Sequence, residues 1–160
     1  MAEMQKNSEQ VATQIHLELL DRTGNALMNG DFDGFLSCFL LPLTLSTQGG
    51  PTRISDENDF LPIFEGNWRR IQHLNVTEYS RACVSACFID DKTIYAVHET
   101  RLLSGHALVR PAVPAFSILK KVESVWKVWD QEYAIGSIEE LRNDIGVVPA
   151  GLRRASASAA

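Results

Sequence analysis

Apolar side chains at Val11, Ile15, Leu19, Leu20, Ala26 and Leu27 recur at the three-and-four spacing that makes one face of a helix, and predict a helix from Glu9 to Asn29. Ser8 is placed to cap its start, and Gly30 to close it in the left-handed conformation. Asp31 then opens a second helix, Phe32 to Leu40, whose Phe35, Leu36 and Phe39 seek a core and which Pro42 ends. Leu41 to Thr47 and Thr52 to Ile54 form a small hairpin around Gly49-Gly50-Pro51. A third helix, capped by Ser55, runs from Asp56 to about His73 with Phe60, Phe64, Trp68 and Ile71 on its apolar face. Pro62 is admissible there only in an early turn or at a local break, and Gly66 costs the helix about 1 kcal/mol relative to alanine.

From Val76 the period changes to that of strands: Val76 to Ile89, Thr93 to Leu103, Ala115 to Val122 and Val125 to Tyr133, with hairpin connections at Asp90-Asp91-Lys92 and Glu123-Ser124. Successive antiparallel pairing is the economical topology. Alternation puts Ile94, Ala96, His98, Thr100 and Leu102 on one face of their strand, the smaller and more apolar one, leaving Tyr95, Val97 and Leu103 on the other. The final strand divides into Trp126, Val128, Asp130, Glu132 and a second set containing Trp129 and Tyr133; each set carries a Trp, so alternation alone does not orient it. Residues 104–114 read either as a strand continuing through a bulge or as an irregular loop.

Organisation follows: a flexible start over 1–8, one domain over 9–136, a short helix and extension over 137–150, and a disordered Ala/Ser/Arg tail over 151–160. At 160 residues, 45% hydrophobic and 22% charged, the chain is long enough for one core and too apolar for disorder. Its net charge of −5, with basic residues only in pairs, argues against nucleic acid as a partner. No apolar run is long enough to span a membrane, the start is too polar for a signal peptide, and the expected location is the cytoplasm. Three cysteines, Cys38, Cys83 and Cys87, suggest free thiols, the last two on one strand face. Four dispersed histidines with no Cys or carboxylate pair beside them predict no metal, and no cofactor motif is present.

The stretch Ala26-Leu-Met-Asn-Gly-Asp-Phe-Asp-Gly34 followed by an apolar helix, and Ser124-Val-Trp-Lys-Val-Trp-Asp130, resemble the first helix junction and the final strand of the nuclear transport factor two-like superfamily, which includes ketosteroid isomerases and polyketide cyclases. The resemblance spans about residues 10–135. It implies an α+β fold, with three N-terminal helices packed into a strongly curved antiparallel sheet that forms a cone with an apolar pocket. It also tips Trp126 and Val128 inward, aiming Asp130 at the pocket. Aligned on Gly30-Asp31, Thr23 stands where the isomerases carry an oxyanion-stabilising tyrosine and Thr47 near their aspartate base, while no carboxyl group lies around Ala115. Those enzymatic roles are therefore unfilled.

The leading expectation is a small-molecule-binding domain for an apolar or aromatic ligand, contacted by Thr23, Leu27, Thr47, Phe64, Trp68, Phe116 and Trp126, and a homodimer through the exposed sheet face. One alternative is a cyclase, isomerase or dehydratase with His98 as general base and Asp130 as its partner. The other is a non-catalytic association module. His98 also reads as a core histidine, Asp130 as half of a cross-strand ion pair, and Trp68 and Phe116 as plain core; His16 and His73 read as helix-surface residues.

Overall fold

The computed structural model describes residues 1–136 and Ile138. Helix α1 is Ala2–Asn29, α2 is Phe32–Leu36 and α3 is Glu57–His73. The strands are β1 Phe39–Thr47, β2 Gly50–Ile54, β3 Glu78–Asp90, β4 Thr93–Ser104, β5 Ala107–Leu108, β6 Val113–Val122 and β7 Val125–Tyr133. At the junction of α1 and α2, Gly30 has φ 67° and the Asp31 amide donates to Ala26 O at 2.8 Å. A β-carbon on Gly30 would sit 3.2 Å from the Trp68 ring, so backbone conformation and close approach both favour glycine there. Asp31 caps α2 by accepting from the Gly34 amide at 3.0 Å.

Three helix ends differ from expectation. Helix α1 starts at Ala2, so the segment expected to be flexible is helical, with all of its side chains exposed. Helix α2 stops at Leu36 because Phe39 is drawn into β1, where it pairs with Val128, and the Val128 amide donates to Cys38 O. Asp56, not Ser55, caps α3, accepting from the amides of Asn58 and Asp59 at 2.9 and 3.2 Å, while the Ser55 amide donates to Asp59 Oδ2. The helix runs on through Pro62, whose ring faces solvent.

The sheet order is β2-β1-β7-β6-β4-β3, with β5 added on β4. All pairs are antiparallel except β1 with β7, so the sheet is mostly rather than wholly antiparallel. The helices cover one face. On that inner face Ile94, Ala96, His98, Thr100 and Leu102 of β4 are all buried, as alternation predicts. Besides shifts at the β3 end, between Phe88 and Asp90, and within β1, between Phe39 and Thr44, two bulges interrupt the period in mid-strand. In β3 Cys83 pairs with His98 but Ser85 with Val97, leaving Val84 extra and 62% exposed; in β7 Val128 pairs with Leu119 but Asp130 with Ile118, leaving Trp129 extra and 42% exposed.

Beyond each bulge the side-chain phase is reset. Cys83 is half-buried and Cys87 exposed, and the two do not share a face as expected. In β7 the inward residues are Val128, then Gln131 and Tyr133, paired with Ser117 and Ala115. Residues 104–114 form a tight hairpin at Gly105, with φ 62°, into the short β5, then an irregular run back to β6. The helix and tail expected over 137–160 lie outside the described residues, Ile138 excepted. Among the described residues, no helix is long and apolar enough to cross a membrane.

Candidate functional site

A cavity of about 40 Å³ lies between the helices and the inner face of the sheet. Its aromatic end is built from Phe35 of α2, Phe39 of β1 and Phe60 of α3, with Leu27, Leu45 and Ile63 beside them. Phe35 packs against Phe39 and Phe60 at centroid distances of 4.7 and 5.2 Å, and Phe39 meets Phe60 edge-on at 4.8 Å. These rings fall on the faces that helical and strand periodicity turn inward, and burial alone stabilises them.

The other end is polar. Tyr79 and Arg81 enter from β3, Thr100 from β4, Gln131 and Tyr133 from β7, Asn67 and Arg70 from α3, and Arg110 from the irregular run after β5. Arg70, 1% exposed, donates from Nη1 to Asn67 Oδ1 at 2.7 Å, and Asn67 donates to Ile63 O at 3.0 Å. Tyr133 donates its hydroxyl to Gln131 Oε1 at 2.7 Å, and Gln131 donates to Ser117 Oγ at 3.3 Å. Burial pushes the Tyr133 phenol up to about 12, against an opposing pull from Arg81, so the hydroxyl keeps its proton at neutral pH.

Arg81 is the hub of this end. Its Nη1 donates to Thr23 Oγ1 and, at 3.5 Å, to Leu20 O, both on α1. Its Nη2 lies 3.2 Å from His98 Nε2, and its guanidinium carbon sits 5.4 Å from the centre of the Tyr79 ring. Since a guanidinium only donates, His98 Nε2 accepts and the imidazole proton sits on Nδ1, a buried atom with no hydrogen-bond partner among the described residues. His16, 1% exposed on α1, tilts against the His98 ring at 5.5 Å and places Nδ1 3.1 Å from Cys83 Sγ. Burial first, then the charge of Arg81, lowers His16 to about 4; the same causes, with His16 third, lower His98 to about 2. Both imidazoles are neutral at pH 7. Burial also pushes the Cys83 thiol up.

The expected residues are distributed unevenly over this site. Leu27 lines the cavity, and Thr23, 3% exposed, holds Arg81. Thr47 spends its hydroxyl on the Gly49 amide, Phe64 packs on Phe32 and Phe35, and Trp68 lies against Gly30; none of them lines the cavity. Trp126 packs edge-on against Phe88 instead. Phe116 points the other way, 42% exposed and stacked on Tyr95, because Ala115, Ser117 and Leu119 take the inward phase of β6. His98 is fully buried, whereas Asp130 shares the open face with Ile118 and Tyr95, turned there by the Trp129 bulge. The two are not brought together. Burial and the neighbouring Glu132 push the Asp130 carboxyl up.

His16, read as a helix-surface residue, is instead a buried partner of the site. Arg70, Arg81 and Arg110 were not singled out by sequence reasoning, although Arg70 stands seven residues after Ile63 on the face α3 buries and Arg81 alternates with Tyr79 and Cys83. Arg110 lies in the one stretch whose structure periodicity leaves open. Three guanidiniums thus line the cavity of a chain whose net charge is −5, and no Asp or Glu is among the described residues that line it. Among the described residues, no group of three or more His, Cys, Asp or Glu could hold a metal ion.

No family model matches the chain, and no curated protein matches it in sequence. Solved structures do. A protein of unknown function from Shewanella oneidensis, described as NTF-2 like, superposes with TM-score 0.61 at 15% identity, over 76% of this chain and 98% of that one. The fold is that of the NTF2-like proteins. A domain of unknown function from Nostoc punctiforme matches with TM-score 0.59 at 12% identity over 96% and 94% of the two chains. A candidate dehydratase of the NTF2-like family from Streptomyces avermitilis matches with TM-score 0.54 at 15% identity over 78% and 96%. The NTF2-like frame accounts for the helix-covered inner face and the cavity under it, and at these identities it carries no activity with it.

Proposed function

We propose that this chain is a small-molecule-binding domain whose ligand occupies the space between α1, α3 and the inner sheet face. The observation that supports it is the two-ended cavity itself, with phenyl rings at one end and convergent hydrogen-bond donors at the other. Its volume of about 40 Å³ suits the head of a ligand. Native mass spectrometry of freshly purified protein tests the reading. A stoichiometric adduct, released on denaturation, is expected. Protein free of adduct in every preparation, and unaffected in melting temperature by a library of small acids, amides and alcohols, would count against it.

A dehydratase, isomerase or cyclase activity is the second reading, favoured by the likeness to the candidate dehydratase. In it Arg81 and Tyr133 meet the substrate, and His98 acts through Arg81 rather than with Asp130. Conversion of the identified ligand, followed by NMR and lost in Tyr133→Phe, is its test.

The open sheet face supports a homodimer, or the association role in which that face is the working surface. Tyr95, Phe116 and Trp129 are 39%, 42% and 42% exposed there, and the first two stack at 6.1 Å. Light scattering at micromolar concentration is expected to give twice the chain mass; a single-chain mass would rule this out.

A further inference from the structure

We propose that the ligand of this cavity is an organic monocarboxylate whose carboxylate is received by Arg81, an inference that rests on the binding reading above and names its substrate class.

Arg81 is a charge held among neutral groups. Its partners are a carbonyl, a hydroxyl and an imidazole nitrogen: Leu20 O, Thr23 Oγ1 and His98 Nε2. None of the titratable groups on its cavity side supplies a negative charge at neutral pH. His16 and His98 are uncharged, the Cys83 thiol is held protonated by burial, and the Tyr133 phenol keeps its proton. Asp21 and Glu78 share with Arg81 an outer groove between α1 and β3, yet neither forms an ion pair with it among the described residues. Arg81 is half-buried, and the inward part of its guanidinium, including the buried Nε–H, is out of water without a counter-charge; an anion in the cavity offsets the cost of that partial desolvation.

The geometry selects the kind of anion. A guanidinium has five N–H donors; three are directed at Thr23, Leu20 and His98, and two remain, one of them the buried Nε–H that has no partner among the described residues. A carboxylate is planar and takes two N–H donors side by side, and Tyr79 lies against the guanidinium on one side. Arg70 and Arg110 line the same cavity. The enclosed volume of about 40 Å³ holds a group of carboxylate size, and Phe35, Phe39 and Phe60 stand beyond it for an apolar body. A doubly charged, fully polar anion such as inorganic phosphate would gain nothing from that wall.

The experiment titrates the full chain with butanoate and benzoate and with their neutral counterparts butanamide and benzamide, by calorimetry at constant ionic strength. Each acid is expected to bind at least tenfold more tightly than its amide. In Arg81→Gln the acid-to-amide ratio is expected to fall to about one, with Arg81→Lys between. If Arg81→Gln does not fold, the wild-type protein decides: the Arg81 Nε–H resonance shifts on adding benzoate and stays in place on adding benzamide. Acids and amides binding equally, or inorganic phosphate displacing benzoate at equal concentration, would overturn the carboxylate assignment while leaving the cavity a binding site. Binding of none of these, with protein that carries no adduct in native mass spectra, would remove the binding reading and this inference together.

Discussion

The two ends of the cavity differ in depth and in what burial does to them: Phe35, Phe39 and Phe60 are buried, whereas Tyr79, Arg81, Arg110 and Tyr133 are half-buried beside the buried His16 and His98. Around Phe35, Phe39 and Phe60 every ring removed from water stabilises the fold with no partner required. Around Arg81, His16 and His98 every group removed from water loses hydration and has to recover it from a neighbour, and His16 Nε2, His98 Nδ1 and Arg81 Nε recover none among the described residues. Stability thus comes from the aromatic end, while the polar end holds buried atoms that cost stability. A protein selected for stability alone would fill the polar end with aliphatic side chains.

The largest effect is expected at the aromatic end. Phe60→Ala removes a ring 1% exposed that touches both Phe35 and Phe39, and should cost about 3–5 kcal/mol in urea unfolding. A loss below 1 kcal/mol would erase the distinction between the ends.

The polar end should show itself in pH instead. His16 and His98 titrate near 6.5 when unfolded and at about 4 and about 2 when folded, so between these values the unfolded chain binds more protons. Stability is therefore full above pH 6.5 and falls on acidification, by up to about 1.4 kcal/mol per pH unit for each imidazole, with only His98 contributing below pH 4. Unfolding curves from pH 7.5 to 4.5 measure the slope. His16→Phe should about halve it, whereas Phe60→Ala should lower the whole curve and leave the slope unchanged. A wild-type profile flat over that range would mean that the imidazoles reach water.

The smallest effect belongs to neither end. Asp130→Asn, on the open face, should change stability by no more than about 0.5 kcal/mol and leave benzoate affinity as it was. A tenfold loss of affinity would place Asp130 at the site after all.

The elements and the order in which they occur could be read from the sequence because they depend on local signals: the 3.6-residue period of α1, the left-handed Gly30 with capping Asp31, and the alternation of β4. The site was legible only in part. Phase carried forward from Trp126 places Asp130 and Glu132 inside, and a single extra residue at Trp129 puts Gln131 and Tyr133 there instead. A bulge leaves no period of its own to detect. Arg81 and Arg70 escaped notice for another reason: composition treats arginine as a surface residue, whereas its place in the inward phase of β3 and on the buried face of α3 is visible only when charge and periodicity are read together. His16 illustrates the converse, a polar residue at a buried helical position, four residues after Ala12.

The two bulges also bear on chain length. Val84 and Trp129 both point out of the sheet and are the supernumerary members of their strands, on β3 and β7, while β4 and β6 between them pair without interruption. Removing either would straighten its strand without moving any residue from one face to the other, since Cys83 and Ala86, and Val128 and Gln131, would keep their partners across the sheet. Each bulge thus works as an expansion joint: the strand can give up its extra residue there while Arg81, Gln131 and Tyr133 keep their inward phase.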